Sequence, residues 1–275
     1  MGTKDRTNRR NRDIDGEITT SVVLPAYNEV GNVEPLVEEL TEVFVGKDDL
    51  RPVEILLVDD GSTDGTRNLL LDLADVYDEV IAVLLRRNFG QSAALAAGID
   101  RTCGEWVVTM DADGQNDPAD ILKLIETLKK GYDCVSGWRK ERHDPLSKRL
   151  PSTIQTKMAM WTGPNIHDFG CTLKAYRGDA LREIDLYGEG HRYIPSMLHK
   201  RGNRITEQVV NHRPRTHGET KYGAKRLVRG FVDLLFQVFW NRYSTRPLHF
   251  LGGTGIALTG IGGLIGIHSV FLKYV

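Results

Sequence analysis

Two carboxylates stand two residues apart in Asp111-Ala112-Asp113-Gly114-Gln115, directly after the apolar run Glu105-Trp106-Val107-Val108-Thr109-Met110. The run reads as a buried strand. Past its end the alternating pleat gives way to a loop, so both carboxylates can turn toward one cation. Hard divalent ions take oxygen ligands, and Mg²⁺ commonly uses one or two carboxylates completed by substrate phosphates. Asp111 and Asp113 are thus suited to seat a metal together with a diphosphate. An Asp-rich loop standing alone is also ordinary turn chemistry, so the reading depends on what neighbouring elements bring to it.

Those elements follow a regular pattern. Thr19 to Leu24 reads as a first strand ending at Pro25-Ala26-Tyr27-Asn28-Glu29, and Asn32 is expected to cap a helix through Val33, Leu36, Val37, Leu40 and Phe44. Val53 to Val58 is a second strand, followed by Asp59-Asp60-Gly61-Ser62-Thr63-Asp64 and a helix through Leu69 to Ala74. Val80 to Leu85 is a third, with Arg86 to Gln91 leading into an Ala-rich helix from Ser92 to Ile99. After the Asp111 loop, Asp117-Pro118 opens a helix that Gly131 closes, and Tyr132 to Trp138 is a fifth strand. Apolar strands alternating with helices imply a parallel sheet covered on both faces. Ligands of such sheets bind beyond the carboxyl ends of the strands. All four polar clusters fall at those ends, which favours a substrate site over unrelated turns.

The class of substrate is narrowed by what the rim lacks. The first strand–helix turn has no Gly-x-Gly-x-x-Gly, which disfavours a dehydrogenase, and no Gly-Lys-Ser/Thr phosphate loop occurs. Without a glycine cradle, charge neutralisation falls to a cation at Asp111 and Asp113, as suits a nucleoside diphosphate leaving with Mg²⁺ or Mn²⁺. The chain of 275 residues carries 36 Lys and Arg against 37 Asp and Glu, so its overall charge points to no nucleic-acid partner. A mean hydropathy of -0.31 fits a mainly water-soluble body. Cys103, Cys134 and Cys171 have no metal or redox spacing and are expected to be small buried residues in a reducing compartment. Residues 1–17 are charged with no apolar run, hence expected to be disordered and not a signal peptide.

Taken together, Pro25-Ala26-Tyr27-Asn28-Glu29, Val58-Asp59-Asp60-Gly61-Ser62-x-Asp64-x-Thr66, Arg87-Asn88-x-Gly90 and Asp111-Ala112-Asp113-x-Gln115 resemble a family 2 glycosyltransferase. The stretches Asp168 to Arg177, Gly188 to Pro195 and Arg215-x-x-Gly218-x-Thr220-Lys221-Tyr222 narrow the resemblance to the polyprenyl-phosphate branch, which includes dolichyl-phosphate mannosyltransferases and undecaprenyl-phosphate glucosyltransferases. It covers about Thr19 to the C-terminus. The resemblance implies the GT-A nucleotide-diphospho-sugar transferase fold, a mainly parallel sheet with helices on both faces. It implies that Pro25, Tyr27, Glu29, Asp59, Asp60, Asp111 and Ala112 hold the nucleotide, while Asp111, Asp113 and Gln115 hold Mg²⁺ or Mn²⁺. Arg139, Lys148, Arg149 and Ser152 would face the acceptor phosphate, and Arg215 and Lys221 would close over a phosphate from a mobile loop. Asp113, Arg139, Asp168, Arg215 and Lys221 make up the expected catalytic set, with Asp168 orienting its neighbours instead of acting as base. The implied reaction is inverting transfer of one sugar, of the GDP-mannose or UDP-glucose type, to dolichyl or undecaprenyl phosphate. A phosphate monoester has its second pKa near ~6 and arrives largely ionised, needing cations more than a base.

The C-terminal part fits a lipid acceptor independently. From Asn211 to Arg246 eight Lys and Arg face two acids, and Leu227, Val228, Phe231, Leu234, Leu235, Val238 and Phe239 recur at helical spacing. A basic, aromatic-rich amphipathic helix suits a headgroup boundary. Phe250 to Leu272 then runs 23 residues without Asp, Glu, Lys or Arg. That gives roughly 35 Å of helix against a hydrocarbon core of about 30 Å. Positive residues crowd its N-terminal side, so an integral protein of the cell membrane with a cytoplasmic catalytic domain is expected. Gly262-x-x-x-Gly266 suits close helix contact, and with one span a homo-oligomer is expected. The expected organisation is a tail (1–17), a GT-A catalytic domain (18–222), an amphipathic interfacial helix region (223–247) and a transmembrane helix (248–275). Two rival readings are a polysaccharide synthase of the same fold, disfavoured because Gln-x-x-Arg-Trp is missing, and a metal-dependent phosphohydrolase using the Asp111 loop.

Overall fold

The computed structural model describes residues 18–140, 163–186, 188, 190–214 and 247–274. The chain divides into two compact units, residues 1–222 and 223–275. In the first, seven strands form one sheet: β1 (Thr20–Ala26), β2 (Val53–Asp59), β3 (Val80–Leu84), β4 (Trp106–Thr109), β5 (Cys134–Trp138), β6 (Lys174–Arg177) and β7 (Ile205–Val209). Their order across the sheet is β3-β2-β1-β4-β6-β5-β7. All neighbouring pairs are parallel except those made by β6, which runs antiparallel to both β4 and β5. The sheet is thus mainly parallel, as expected, with one reversed strand near its middle.

Both faces are covered. Period-two alternation sends Val22, Leu24, Ile55 and Leu57 to one face, where they meet Leu36, Val37 and Leu40 of α1 (Val33–Val43), Leu70 of α2 (Thr66–Val76) and Leu124 of α4 (Asp120–Leu128). Val23, Leu56 and Val58 point the other way. They pack on Leu95 and Ile99 of α3 (Gln91–Ile99), with Leu181 of α5 (Gly178–Arg182) and Leu198 of α6 (Ile194–Lys200) in the same cluster. Strands buried on both sides must be apolar throughout, which is why they read as unbroken runs. Deleting any of these leucine side chains leaves a cavity costing about 2–5 kcal/mol.

Several expectations shift in detail. Strand β1 runs on through Pro25, because its pairing with β4 has already ended at Val23 and the missing N–H leaves no gap there. Asn32 makes no side-chain cap. Its Nδ2 donates to Glu29 Oε2 at 2.5 Å, and the Glu29 carbonyl takes the N–H groups of Asn32 and Val33. Helix α4 starts regularly at Asp120, after a turn in which Asp117 Oδ1 accepts the Ala119 N–H at 3.1 Å. Cys134 and Cys171 are buried as expected, but Cys103 is exposed, since it lies in the turn after α3 instead of on a strand. Buried Glu54 went unnoticed in the sequence. It accepts the Ser21 hydroxyl at 2.5 Å and the Cys103 N–H at 2.7 Å, tying that turn to the sheet.

In the second unit, α7 (Pro247–Tyr274) is one continuous helix. Its stretch Leu251–Tyr274 is, by length and composition, long and apolar enough to cross a membrane. Nothing lies within 4 Å of where a Cβ on Gly262 or Gly266 would sit. Residues 1–17 and 223–246, the expected tail and nearly all of the expected amphipathic region, lie outside the described residues.

Candidate active site

The carboxyl ends of β1 to β4 meet at one rim, and the loops there are stitched together by polar side chains. Asn28, with φ +57, accepts the Thr63 N–H on its Oδ1 at 2.8 Å, while its own N–H donates to Ser62 Oγ at 3.0 Å. Glu29 N–H donates to Thr66 Oγ1 at 2.9 Å. The adjacent acids Asp59 and Asp60 part ways. Asp59 is fully buried, accepting the Ser62 N–H at 2.9 Å and the Arg67 Nε at 2.9 Å. Asp60 accepts the backbone N–H groups of Phe89 and Gly90 at 2.7 and 2.9 Å, drawing the loop after β3 onto the rim. Between them and that loop, Gly61 (φ +73) is required. A Cβ there would sit 2.4 Å from the carbonyl carbon of Arg87.

This framework encloses a pocket of about 280 Å³. Of the residues expected to hold a nucleotide, Pro25, Tyr27, Glu29, Asp60, Asp111 and Ala112 line it, and so does Asp113. Asp59 does not line it, because its carboxylate faces inward to Arg67 and the Ser62 backbone. Gln91, which the sequence reading passed over, joins the lining and donates from Nε2 to Asp111 Oδ1 at 2.6 Å.

At the end of β4, burial and, after it, the charge of Asp113 push the Asp111 carboxyl up to about 6. A buried acid whose ionisation is hindered by a second carboxylate beside it forms a place where a cation is favoured. Among the described residues no cluster of three or more His, Cys, Asp or Glu could cage a metal. A two-carboxylate set fits Mg²⁺ or Mn²⁺ completed by substrate oxygens and not a closed structural site. Gln115 follows at the loop's end. Its N–H donates to Asp113 Oδ1 at 3.1 Å, and its carbonyl accepts the Arg213 N–H at 2.8 Å. That bond brings the chain leaving β7 directly alongside the acidic loop. Asp120 holds the same segment, accepting the Asn211 N–H at 2.6 Å. Arg213 itself pairs with Glu39 and Asp117, so part of the basic excess counted in the sequence is neutralised within the domain.

Because β6 is reversed, it begins at the rim where the others end. Lys174 therefore pairs in register with Thr109, two residues before Asp111. Just past β5, Arg139 is gripped by Asp168, with Nε to Oδ2 at 2.8 Å and Nη2 to Oδ1 at 3.1 Å. The Asp168 carboxylate holds that guanidinium more firmly protonated than usual, although burial opposes it. Lys148, Arg149, Ser152, Arg215 and Lys221 lie outside the described residues.

A mainly parallel sheet that ends in an acidic loop, with one reversed strand beyond it, has the architecture of the GT-A glycosyltransferases. The chain belongs to glycosyl transferase family 2, whose family model matches residues 21–185. It is 41% identical over 263 residues to a dodecaprenyl-phosphate galacturonate synthase of Rhizobium johnstonii, covering 93% of this chain and 77% of that one. It is 35% identical over 258 residues to an undecaprenyl-phosphate 4-deoxy-4-formamido-L-arabinose transferase of Aeromonas hydrophila, with the same coverages of 93% and 77%. Among solved structures, a mannosyltransferase from Pyrobaculum calidifontis in complex with GDP-Man and Mn²⁺ superposes with a TM-score of 0.54 at 18% identity, covering 90% of this chain and 80% of that one. Glucosyl-3-phosphoglycerate synthase from Mycobacterium tuberculosis with Mn²⁺ and UDP-glucose superposes at 0.60 and 20%, covering 82% and 79%. These two share the fold. The chain is a glycosyltransferase, and its curated relatives are transferases of sugars to polyprenyl phosphates.

Proposed function

We propose that the chain transfers a single sugar, with inversion, from a nucleotide-sugar to a polyprenyl phosphate at the cytoplasmic face of the membrane that α7 spans. The observation that carries this reading is the meeting of three features at one rim. They are the 280 Å³ pocket, the Asp111–Gln115 loop at its edge, and the Gln115–Arg213 bond that brings the chain after β7 to that loop. The nucleoside sits among Pro25, Tyr27, Glu29 and Asp60, and its diphosphate reaches Asp111 and Asp113. Gln91 holds Asp111 in place through its Nε2 donor. A bound Mg²⁺ or Mn²⁺ supplies positive charge to the departing diphosphate.

On the acceptor side, an ionised phosphate oxygen attacks the anomeric carbon while the bond to the diphosphate breaks and the nucleoside diphosphate leaves with that electron pair. No general base is needed. Arg139, oriented by Asp168, and Lys148, Arg149 and Ser152 present the acceptor phosphate, while Arg215 and Lys221 close over the reacting groups. The relatives' names support the acceptor class, and the apolar length of α7 supports membrane integration. The test is glycolipid formation by the full chain in membranes, supplied with UDP- and GDP-sugars, Mn²⁺ and a short polyprenyl phosphate. Product that forms with wild type and not with Asp113→Asn supports the reading. Free sugar phosphate in place of glycolipid would return the phosphohydrolase reading.

A further inference from the structure

Adjoining the larger pocket at Asp111 lies a second cavity of about 20 Å³. It shares Pro25, Gln91 and Asp111 with the larger pocket and is otherwise lined by residues including Lys174, His191 and Arg192. A nucleotide-sugar is linear in its chemistry: base, diphosphate, sugar. With the base beside Tyr27 and the diphosphate at Asp111 and Asp113, a sugar beyond the diphosphate would meet this cavity, which Asp111 also lines. Its volume admits about one or two water-sized groups.

The charges around it do not balance. Lys174 is 2% exposed, and its Nζ donates only to the carbonyls of Phe169 and Cys171, with no ion pair among the described residues. Half-buried Arg192 makes no hydrogen bond or ion pair among the described residues. Other cations nearby are already engaged: Arg139 by Asp168, Arg67 by Asp59, Arg213 by Glu39 and Asp117. Asp168 and Asp111 both act on Lys174 through their charges, but Asp168 is engaged by Arg139, and a metal at the loop would take up the charge of Asp111. Buried cations without a counter-charge are costly. Nearby, the Nδ1 of His191 pairs with Ser92 Oγ at 2.7 Å. Burial pushes this imidazole down to about 3, and the charges of Arg192 and Lys174 push the same way. A sugar carboxylate would give these two cations a counter-charge inside the cavity that a neutral hexose lacks.

We propose that the transferred sugar carries a carboxylate, and that Arg192 and Lys174 receive it in the small cavity beside Asp111. This rests on the transferase reading above and adds the class of sugar, a hexuronate. Arg192 supplies the planar donor pair that matches a carboxylate, and Lys174 supplies a buried ammonium whose charged form burial disfavours and an incoming carboxylate would favour. His191, held neutral, adds polar lining without competing charge.

The test uses matched nucleotide-sugars that differ only at C6: UDP-glucuronate against UDP-glucose, UDP-galacturonate against UDP-galactose, and GDP-mannuronate against GDP-mannose. Transfer to polyprenyl phosphate is measured as kcat/KM with the full chain in membranes and Mn²⁺. Wild type should favour the uronate of at least one pair about tenfold or more, since a site built for a polar group rejects the analogue lacking it. Arg192→Gln should collapse that preference mainly through KM for the uronate, and Arg192→Lys should restore part of it. Equal loss for both members of a pair would assign the guanidinium to the diphosphate and overturn the proposal. Wild-type transfer confined to neutral sugars, or equal within every pair, overturns it alone and needs no variant to fold. No transfer from any of the six overturns the transferase reading and this one with it.

Discussion

Replacing Asp168 by asparagine separates two roles that a carboxylate beside a reacting phosphate could have. The residue accepts two hydrogen bonds from the Arg139 guanidinium, at 2.8 and 3.1 Å, with side chains only 6% and 17% exposed. Removing one partner of a buried pair costs about 3–5 kcal/mol, chiefly by stranding the other charge. Arg139 keeps a little solvent access and an asparagine oxygen can still accept one bond, so about 2–4 kcal/mol is expected here. For a domain of this size, 1 kcal/mol moves Tm by roughly 2–4 °C, which gives a drop of about 4–16 °C. Thermal denaturation of the detergent-solubilised full chain measures this directly. Arg139→Gln should cost a similar amount, and the double variant clearly less than the sum, with a coupling of about 2 kcal/mol. An Asp168→Asn protein that melts with wild type while losing transfer would refute the reasoning. The carboxylate would then act on substrate and not through Arg139.

Three further outcomes are expected. Asp111 titrates near 6, above its ordinary 3.8, so the folded metal-free chain binds that proton more tightly and loses stability as pH rises from about 4 through about 6. A metal needs the deprotonated acid. The Tm gain from Mn²⁺ should therefore be small near pH 5 and level off above about pH 7, and a pH-independent gain would exclude Asp111 as a ligand. Gly61→Ala should cost about 2–4 kcal/mol, from a left-handed backbone and a 2.4 Å overlap with Arg87, and should weaken nucleotide binding measured by calorimetry. Unchanged binding would show that the loop after β3 does not shape the pocket. Ending the chain after Arg246 should move the protein from the membrane to the soluble fraction while nucleotide binding persists. Continued sedimentation with membranes would mean that α7 is not the principal anchor.

What the sequence settled by itself is what local pattern controls. Apolar runs of strand length, set between amphipathic helices, fixed the mainly parallel sheet and where its rim lies, because burial on both faces demands such runs whatever the strand order. The same rule made the Asp111 loop, Tyr27 and Asp60 readable as rim residues. Strand order and side-chain facing were decided only in three dimensions. Nothing local distinguishes Asp59 from Asp60, yet one turns inward to Arg67 and the other lines the pocket, since successive residues point to opposite sides. Inserting β6 in reverse between β4 and β5 carries Lys174 to the rim, and the fold pairs Arg139 with Asp168 across a loop. Buried Glu54 and Asp120 look like surface acids in a linear string. Their partners are set by contacts between distant segments, and charge balance at a site is a property of those contacts, not of residue order.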